Sequence, residues 1–396
     1  MNPRFIVLVA LLTSLMALGT DAMLPALPEI GAALGVADAN NTQLMVSVFF
    51  LGAGIGQLMF GPFSDYLGRK STILFGLVLF LIGSLVSYFA QSYEIMLAGR
   101  LLQGFGVAGP RIGSMAMVRD LYKGREMARV MSFVLVVFIL VPAIAPLMGQ
   151  IVMQQFGWRS IFLAYILATT VAFFWMTLGQ RETLSDENRH PFTWFDLWQR
   201  IRTVLTNRQT MAFSFVAGLT FSSLVVYLSS AQQIFHDIFD TGALFPLFFA
   251  IMALAIGASS FANAHMVMKV GMQKLVTSAL FAMVFLSVVY LLLITLLPQA
   301  EVLPVFLAWG VLTFFTVGLL FGNLNALAME PMGKNAGVAA AVIGAMTTLV
   351  GVGAGVPLAR LYNGTTTPLV ASFLLLGVLS LTGMYYGTRL RQPRLQ

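Results

Sequence analysis

About a dozen apolar stretches of roughly 20 residues run through this chain, separated by short polar loops, and each is long enough to cross bilayer hydrocarbon as a helix. Lipid offers no hydrogen-bond partner to a backbone, so such stretches must satisfy their own amides, which makes them helical. Composition agrees. Only 9% of the 396 residues are charged and 59% are hydrophobic, where a soluble domain carries about 25% charged residues. The expected fold class is therefore all-α integral membrane. The spans fall near 5–27, 42–62, 72–90, 96–117, 130–152, 160–179, 210–232, 243–264, 274–297, 303–327, 337–359 and 367–387. The first resembles a signal peptide in its Arg4 and the small residues Ala17 and Gly19, but its hydrophobicity resumes through Ala22, Met23 and Leu24. It reads as an uncleaved first helix.

The net charge of +7 does not point to nucleic acid, because the basic residues lie in short loops rather than on one face. With the N-terminus inside, all of the 22 Lys and Arg except Arg100, Arg111, Arg159 and Arg360 fall on or at the edge of the cytoplasmic side. The outer loops hold Glu29, Asp38, Glu94, Asp237, Asp240 and Glu301 instead. That asymmetry predicts a multi-pass protein of the inner membrane with both termini in the cytoplasm. Cysteine is absent, and His190, His236 and His265 are scattered, so neither thiol chemistry nor a metal site is expected.

The one long polar stretch divides the chain into a bundle at 1–180, a cytoplasmic linker at 181–209 and a second bundle at 210–396. Within the linker, Thr193 with Asp196 reads as a helix cap. Trp194, Trp198, Ile201 and Leu205 recur at helical spacing, with Arg200 and Arg202 off that stripe. This predicts an amphipathic helix on the membrane surface, serving as a tether or more. The halves echo each other: Gly124 matches Gly333 and Leu140 matches Leu349 at one constant offset, setting LVPAIAPL (140–147) against LVGVGAGVPL (349–358). Two pseudo-symmetric six-helix bundles around a central cavity are the expected architecture.

Asp21 is the one acid well inside a span, and a charge there costs roughly 2.5–3.5 kcal/mol on insertion scales. Arg100 lies at a similar depth in the fourth span, with Gln103, Gly104 and Arg111 near the same helical face. Burial favours the neutral form of Asp21 and a nearby cation its ionised form, so it is either a titrating group or half of a static ion pair with Arg100. Arg111 either lines a substrate path or snorkels to the inner surface. Tyr227, Asn263, Asn323 and Asn325 are polar positions that face either a cavity or neighbouring helices. The same holds for the 23 Met and 33 Phe, soft surfaces that suit promiscuous binding and equally suit helix packing.

The loop GPFSDYLGRKST, with Gly61, Asp65, Gly68, Arg69 and Lys70, resembles the signature of the major facilitator superfamily. Span four, RLLQGFGVAGP, resembles the family's Arg-x-x-Gln-Gly motif, and Asp21 in GTDAMLPALP resembles the first-helix acid of 12-helix drug:H⁺ antiporters, above all the bicyclomycin/chloramphenicol-resistance subfamily. The resemblance implies proton coupling through Asp21 and Arg100, a substrate path past Arg111 and Gln103, and a gating loop that joins Asp120 to the Gly61–Lys70 segment. Pro142, Pro146 and Gly149 resemble the antiporter motif of the fifth span, though Ala145 and Gln150 stand where glycines are usual. In the second half, MVMKVGMQK (266–274) keeps Gly271 but has Met268 in place of the loop acid, so a second latch is expected to be weak or missing. The function implied by the resemblance is proton-coupled export of small amphipathic drugs by a monomer that binds lipid, protons and a small-molecule substrate. It would use the proton gradient, with no cofactor, no metal and no nucleic acid. The alternative is export or symport of a metabolite such as an amino acid or sugar. A membrane enzyme lacks a converged set of reactive groups, and a non-transporting receptor would not need Asp21, Arg100 and the loop intact.

Overall fold

A computed structural model describes residues 3–184 and 193–389. The chain forms two compact units, Met1–Leu197 and Trp198–Gln396. No strand occurs among the described residues. The first unit contains α1 (Pro3–Asp21), α2 (Leu27–Ala33), α3 (Ala39–Thr42), α4 (Leu44–Leu67), α5 (Arg69–Tyr88), α6 (Tyr93–Leu121), α7 (Gly124–Phe156) and α8 (Arg159–Gly179). After α9 (Trp194–Thr206) come α10 (Arg208–Gln233), α11 (Phe245–Val270), α12 (Met272–Leu296), α13 (Leu303–Met329), α14 (Ala336–Ala359) and α15 (Thr367–Arg389). Every predicted span but the first falls on one of these helices.

The first span is broken where the sequence reading made it continuous. α1 stops at Asp21, a short 3-10 turn covers Leu24–Ala26, and α2 resumes at Leu27. Pro25 and Pro28 cause this, because proline cannot donate to the preceding turn and restricts the residue before it. Asp21 thus sits at an interruption inside the 31-residue apolar segment Pro3–Ala33.

Eleven helices among the described residues are apolar and long enough to span a membrane by themselves. α6 is not among them, since Arg100, Gln103 and Arg111 lie mid-helix. Packing resolves its polarity, for α6 is pressed against both α4 and α5 through glycines. A Cβ at Gly76 would lie 2.6 Å from the Gly106 carbonyl, and one at Gly104 would collide with the Phe49 carbonyl. The backbones approach so closely that a methyl does not fit, the small-residue packing that lipid-embedded helices rely on.

The second unit repeats this plan. α4 and α5 pack on α6, α5 on α8, and α1 on α7; correspondingly α11 and α12 pack on α13, α12 on α15, and α10 on α14. α7 and α14 are therefore counterparts, as the sequence echo required. Hydroxyls on α10 fold back on their own helix, with Ser214 donating to the Thr210 carbonyl at 2.7 Å and Ser230 to the Val226 carbonyl at 2.8 Å. Such bonds let serine and threonine lie in an apolar bundle at little cost. In α9, the Thr193 hydroxyl accepts from the Asp196 amide at 3.3 Å, and the Phe195 and Trp198 side chains are exposed.

Candidate functional site

Asp21 is 5% exposed, and its carboxylate makes no hydrogen bond or ion pair among the described residues. Its surroundings are small and apolar. The Ala22 carbonyl next to it packs against Gly149 of α7, where a Cβ would overlap that carbonyl outright. Gly149 thus lets α7 close on the interruption in the first span, while Pro142 and Pro146 lie inside the same unbroken helix.

Arg100 is fully buried, and its charge is answered from α4 and from α6 itself. Its Nε donates to the Met45 carbonyl at 3.2 Å and its Nη1 to Gln103 Oε1 at 2.7 Å. Gln103 Nε2 in turn donates to the Ser84 hydroxyl of α5 at 2.8 Å. The guanidinium also lies over the Phe49 ring, 4.5 Å from its centroid, a favourable place for a desolvated cation. Of the two alternatives for Asp21, the static pair with Arg100 is not formed among the described residues. The Phe49 face carries Arg100, and its edge, with Phe80, abuts Gly19, two residues before Asp21, where a Cβ would meet them at 3.2 and 3.4 Å. Gln103 is buried and holds Arg100.

Arg111 is partly buried and reaches across to α1, its Nη1 lying 3.1 Å from the Met16 sulfur. Met16 is in the second half of α1, so the side chain turns toward the helix that ends at Asp21. In the second unit, Asn323 Nδ2 donates to Asn263 Oδ1 at 2.6 Å and to the Leu319 carbonyl at 2.8 Å, which makes this pair internal packing. Tyr227 is buried between Phe249 and Phe314, and Asn325 is exposed.

The residues around the Gly61–Lys70 loop form a closed electrostatic cluster. Gly68 joins α4 to α5 at φ +100, a conformation favoured by glycine alone. Gly61 lies buried within α4. Arg69 donates through Nη1 to Asp65 at 2.5 Å and to the Ser64 hydroxyl at 3.1 Å, and through Nε to Asp120 of α6 at 3.1 Å. Lys70 Nζ donates to the Thr177 and Gln180 carbonyls at 2.8 and 2.7 Å, neutralising the free C-terminal end of α8. The sequence reading missed the member that completes the cluster. The Glu182 carboxylate accepts from the Arg69 amide at 2.9 Å and the Lys70 amide at 3.1 Å, capping α5, and from the Thr183 and Leu184 amides at 2.8 and 3.0 Å. An acid just beyond the sixth span, flanked by Arg181 and Thr183, was the signal that could have found it.

The sequence profile of the Major Facilitator Superfamily matches residues 9–356. The chain is 30% identical over 392 residues to the bicyclomycin resistance protein homolog of Haemophilus influenzae, covering 97% of this chain and 96% of that one. It is 38% identical over 167 residues to the chloramphenicol resistance protein of Pseudomonas aeruginosa, covering 41% and 40%. Among solved structures, the fold resembles the xylose transporter XylE from E. coli in a partially occluded inward-open conformation, with TM-score 0.74, 14% identity and 97% of each chain covered.

Proposed function

The chain belongs to the major facilitator superfamily and is a membrane transporter rather than an enzyme, and we propose that it exports small amphipathic drugs in exchange for protons. The single observation that carries this reading is Asp21, a buried carboxylate without a partner at an interrupted helix. An ionised carboxylate so placed is unfavourable until a proton or a donor reaches it, which suits a group that loads and unloads protons. The resistance proteins it resembles support a drug as cargo.

In this mechanism the protein alternates its access, presenting Asp21 to each side of the membrane in turn. Protonation neutralises Asp21 and permits the return step; release of the proton inward accompanies outward movement of drug. Arg100, held rigidly by Met45, Gln103 and Phe49, supplies a fixed positive field, and Arg111 lines the approach from the side of α1. The loop cluster around Arg69 fastens one conformation. The proton gradient supplies the energy, with no cofactor. The protein works as a monomer in the inner membrane, with its termini in the cytoplasm and α9 lying on the inner surface.

The test is proton movement in everted membrane vesicles, followed with a pH-sensitive dye as drugs and metabolites are added to wild type and Asp21→Asn. Drugs such as chloramphenicol or lipophilic cations should dissipate the gradient in wild type alone. A response only to an amino acid or sugar would replace the drug cargo with a metabolite, and equal responses in both proteins would remove Asp21 from coupling.

A further inference from the structure

Tyr165 of α8 lies in the same buried region and has no role in the coupling scheme built on Asp21 and Arg100. It is 1% exposed, and its hydroxyl has no hydrogen-bond partner. The ring is held edge-on by Phe162, with centroids 5.7 Å apart, and leans on Phe80 at 6.3 Å. Phe80 also abuts Gly19, two residues before Asp21, so Tyr165 packs on a ring that touches the end of α1. Arg100 Nη2 is likewise without a partner.

Buried hydroxyls are almost always hydrogen-bonded, and each exception calls for a reason. Here one ring, Phe80, packs against both the ring of the unpaired donor and Gly19, two residues before the unpaired acceptor. The other groups facing this region do not compete for Asp21. On α6 these are Arg100, engaged with Met45 and Gln103, and Arg111, engaged with Met16. The charged and titratable residues of α4, α5 and α7, among them Asp65, Arg69, Lys70, Tyr88, Glu126 and Arg129, lie toward the helix ends.

We propose that Tyr165 is a positioning residue for proton coupling: its hydroxyl donates to the Asp21 carboxylate when that group is ionised and lets go when Asp21 takes up a proton. Approach of the α1 end toward α8 makes the contact. Phe80 and Phe162 keep the ring in place, so the hydroxyl waits at a fixed position. The exchange is between a carboxylate held by a donor and a neutral acid that needs none, and it provides a low-cost ionised state within the bundle. The inference rests on the proton-coupling reading of Asp21.

The experiment is an infrared titration of the purified, full-length protein, with the Asp21 carboxyl band assigned by its loss in Asp21→Asn. Removing a donor to the ionised form should move the Asp21 midpoint in Tyr165→Phe upward by about one pH unit, a roughly tenfold change in proton concentration. Site-specific 3-fluorotyrosine at position 165, with a more acidic phenol and so a stronger donor, should move it downward, and it preserves the packing if the Phe variant fails to fold. Midpoints that coincide with wild type would overturn the role of Tyr165 while leaving Asp21 as the coupling acid. An Asp21 band that does not titrate in wild type would overturn both.

Discussion

The loops around Gly68 and Gly271 occupy equivalent places in the two units, and each turns the chain from one helix into the next through a glycine at positive φ, +100 and +85 respectively. Their chemistry differs entirely. Around Gly68, Asp65, Arg69, Lys70, Asp120 and Glu182 bind four helix ends into one cluster. Around Gly271 a Cβ would meet nothing within 4 Å, and Met268, 85% exposed, replaces the acid. The second unit is tied elsewhere, where Glu301 accepts from the Thr366 amide at 2.9 Å and from its hydroxyl, and Tyr362 donates to Asp237 at 3.2 Å. Burial, reinforced by Asp237, holds the Tyr362 phenol above its ordinary range. A repeated backbone plan thus carries a charged fastening in one unit and a bare turn in the other. The same contrast holds within the helices. The first unit buries Asp21 and Arg100, whereas the polar interior of the second consists of amides and hydroxyls such as Asn323 and Ser214. The lesson is that helix packing sets the repeat, while a few polar substitutions decide which copy has ionic work to do.

The largest effect that would sharpen this contrast is in the helices. Asp21→Asn should reduce drug-driven proton movement to background in vesicles. Asn323→Leu, in the polar interior of the second unit, should leave coupling in place and lower stability by about 1–3 kcal/mol through the lost amide pair. Coupling lost equally in both would erase the distinction between the units. Next comes Arg100→Ala, which leaves Gln103 and the Met45 carbonyl without their partner; a loss of about 1–3 kcal/mol is expected for each buried polar group left unsatisfied, read as a fall in thermal midpoint in detergent.

The two glycines give a direct comparison of smaller size. Gly271→Ala should cost only the left-handed backbone penalty, about 1–2 kcal/mol. Gly68→Ala should cost measurably more, since its Cβ would run into the Glu182 carboxylate, and equal losses would show that Glu182 yields freely. The smallest effect is that of Asp65→Asn. Its pair with Arg69 is partly exposed and is worth about 0–1 kcal/mol to stability, so drug affinity should stay within twofold or so while turnover slows. A large loss of affinity would remove the fastening role.

Much of this was legible in advance. Hydropathy located eleven spans because each is apolar for about 20 residues, and the constant offset between Gly124 and Gly333 foretold that α7 and α14 would be counterparts. The loop residues were legible too, since Asp65 and Arg69 lie one helical turn apart. Glu182 was not, because its partners Arg69 and Lys70 are 113 and 112 positions away. The bonds of Gln103 were hidden for a related reason: its helical face could be read, but not that α5 would cover it with Ser84.

The amino-acid sequence by itself determined where the helices run, which loops carry charge, that an acid and an arginine lie at similar depth, and that prolines come after the acid. Those are local properties of composition and spacing. Tertiary structure alone decided which groups meet. Depth along a helix says nothing about which groups two helices bring together at that depth. Asp21 is left without a partner among the described residues and Arg100 with three, while the buried hydroxyl of Tyr165, on a helix the motifs never marked, is also unpaired.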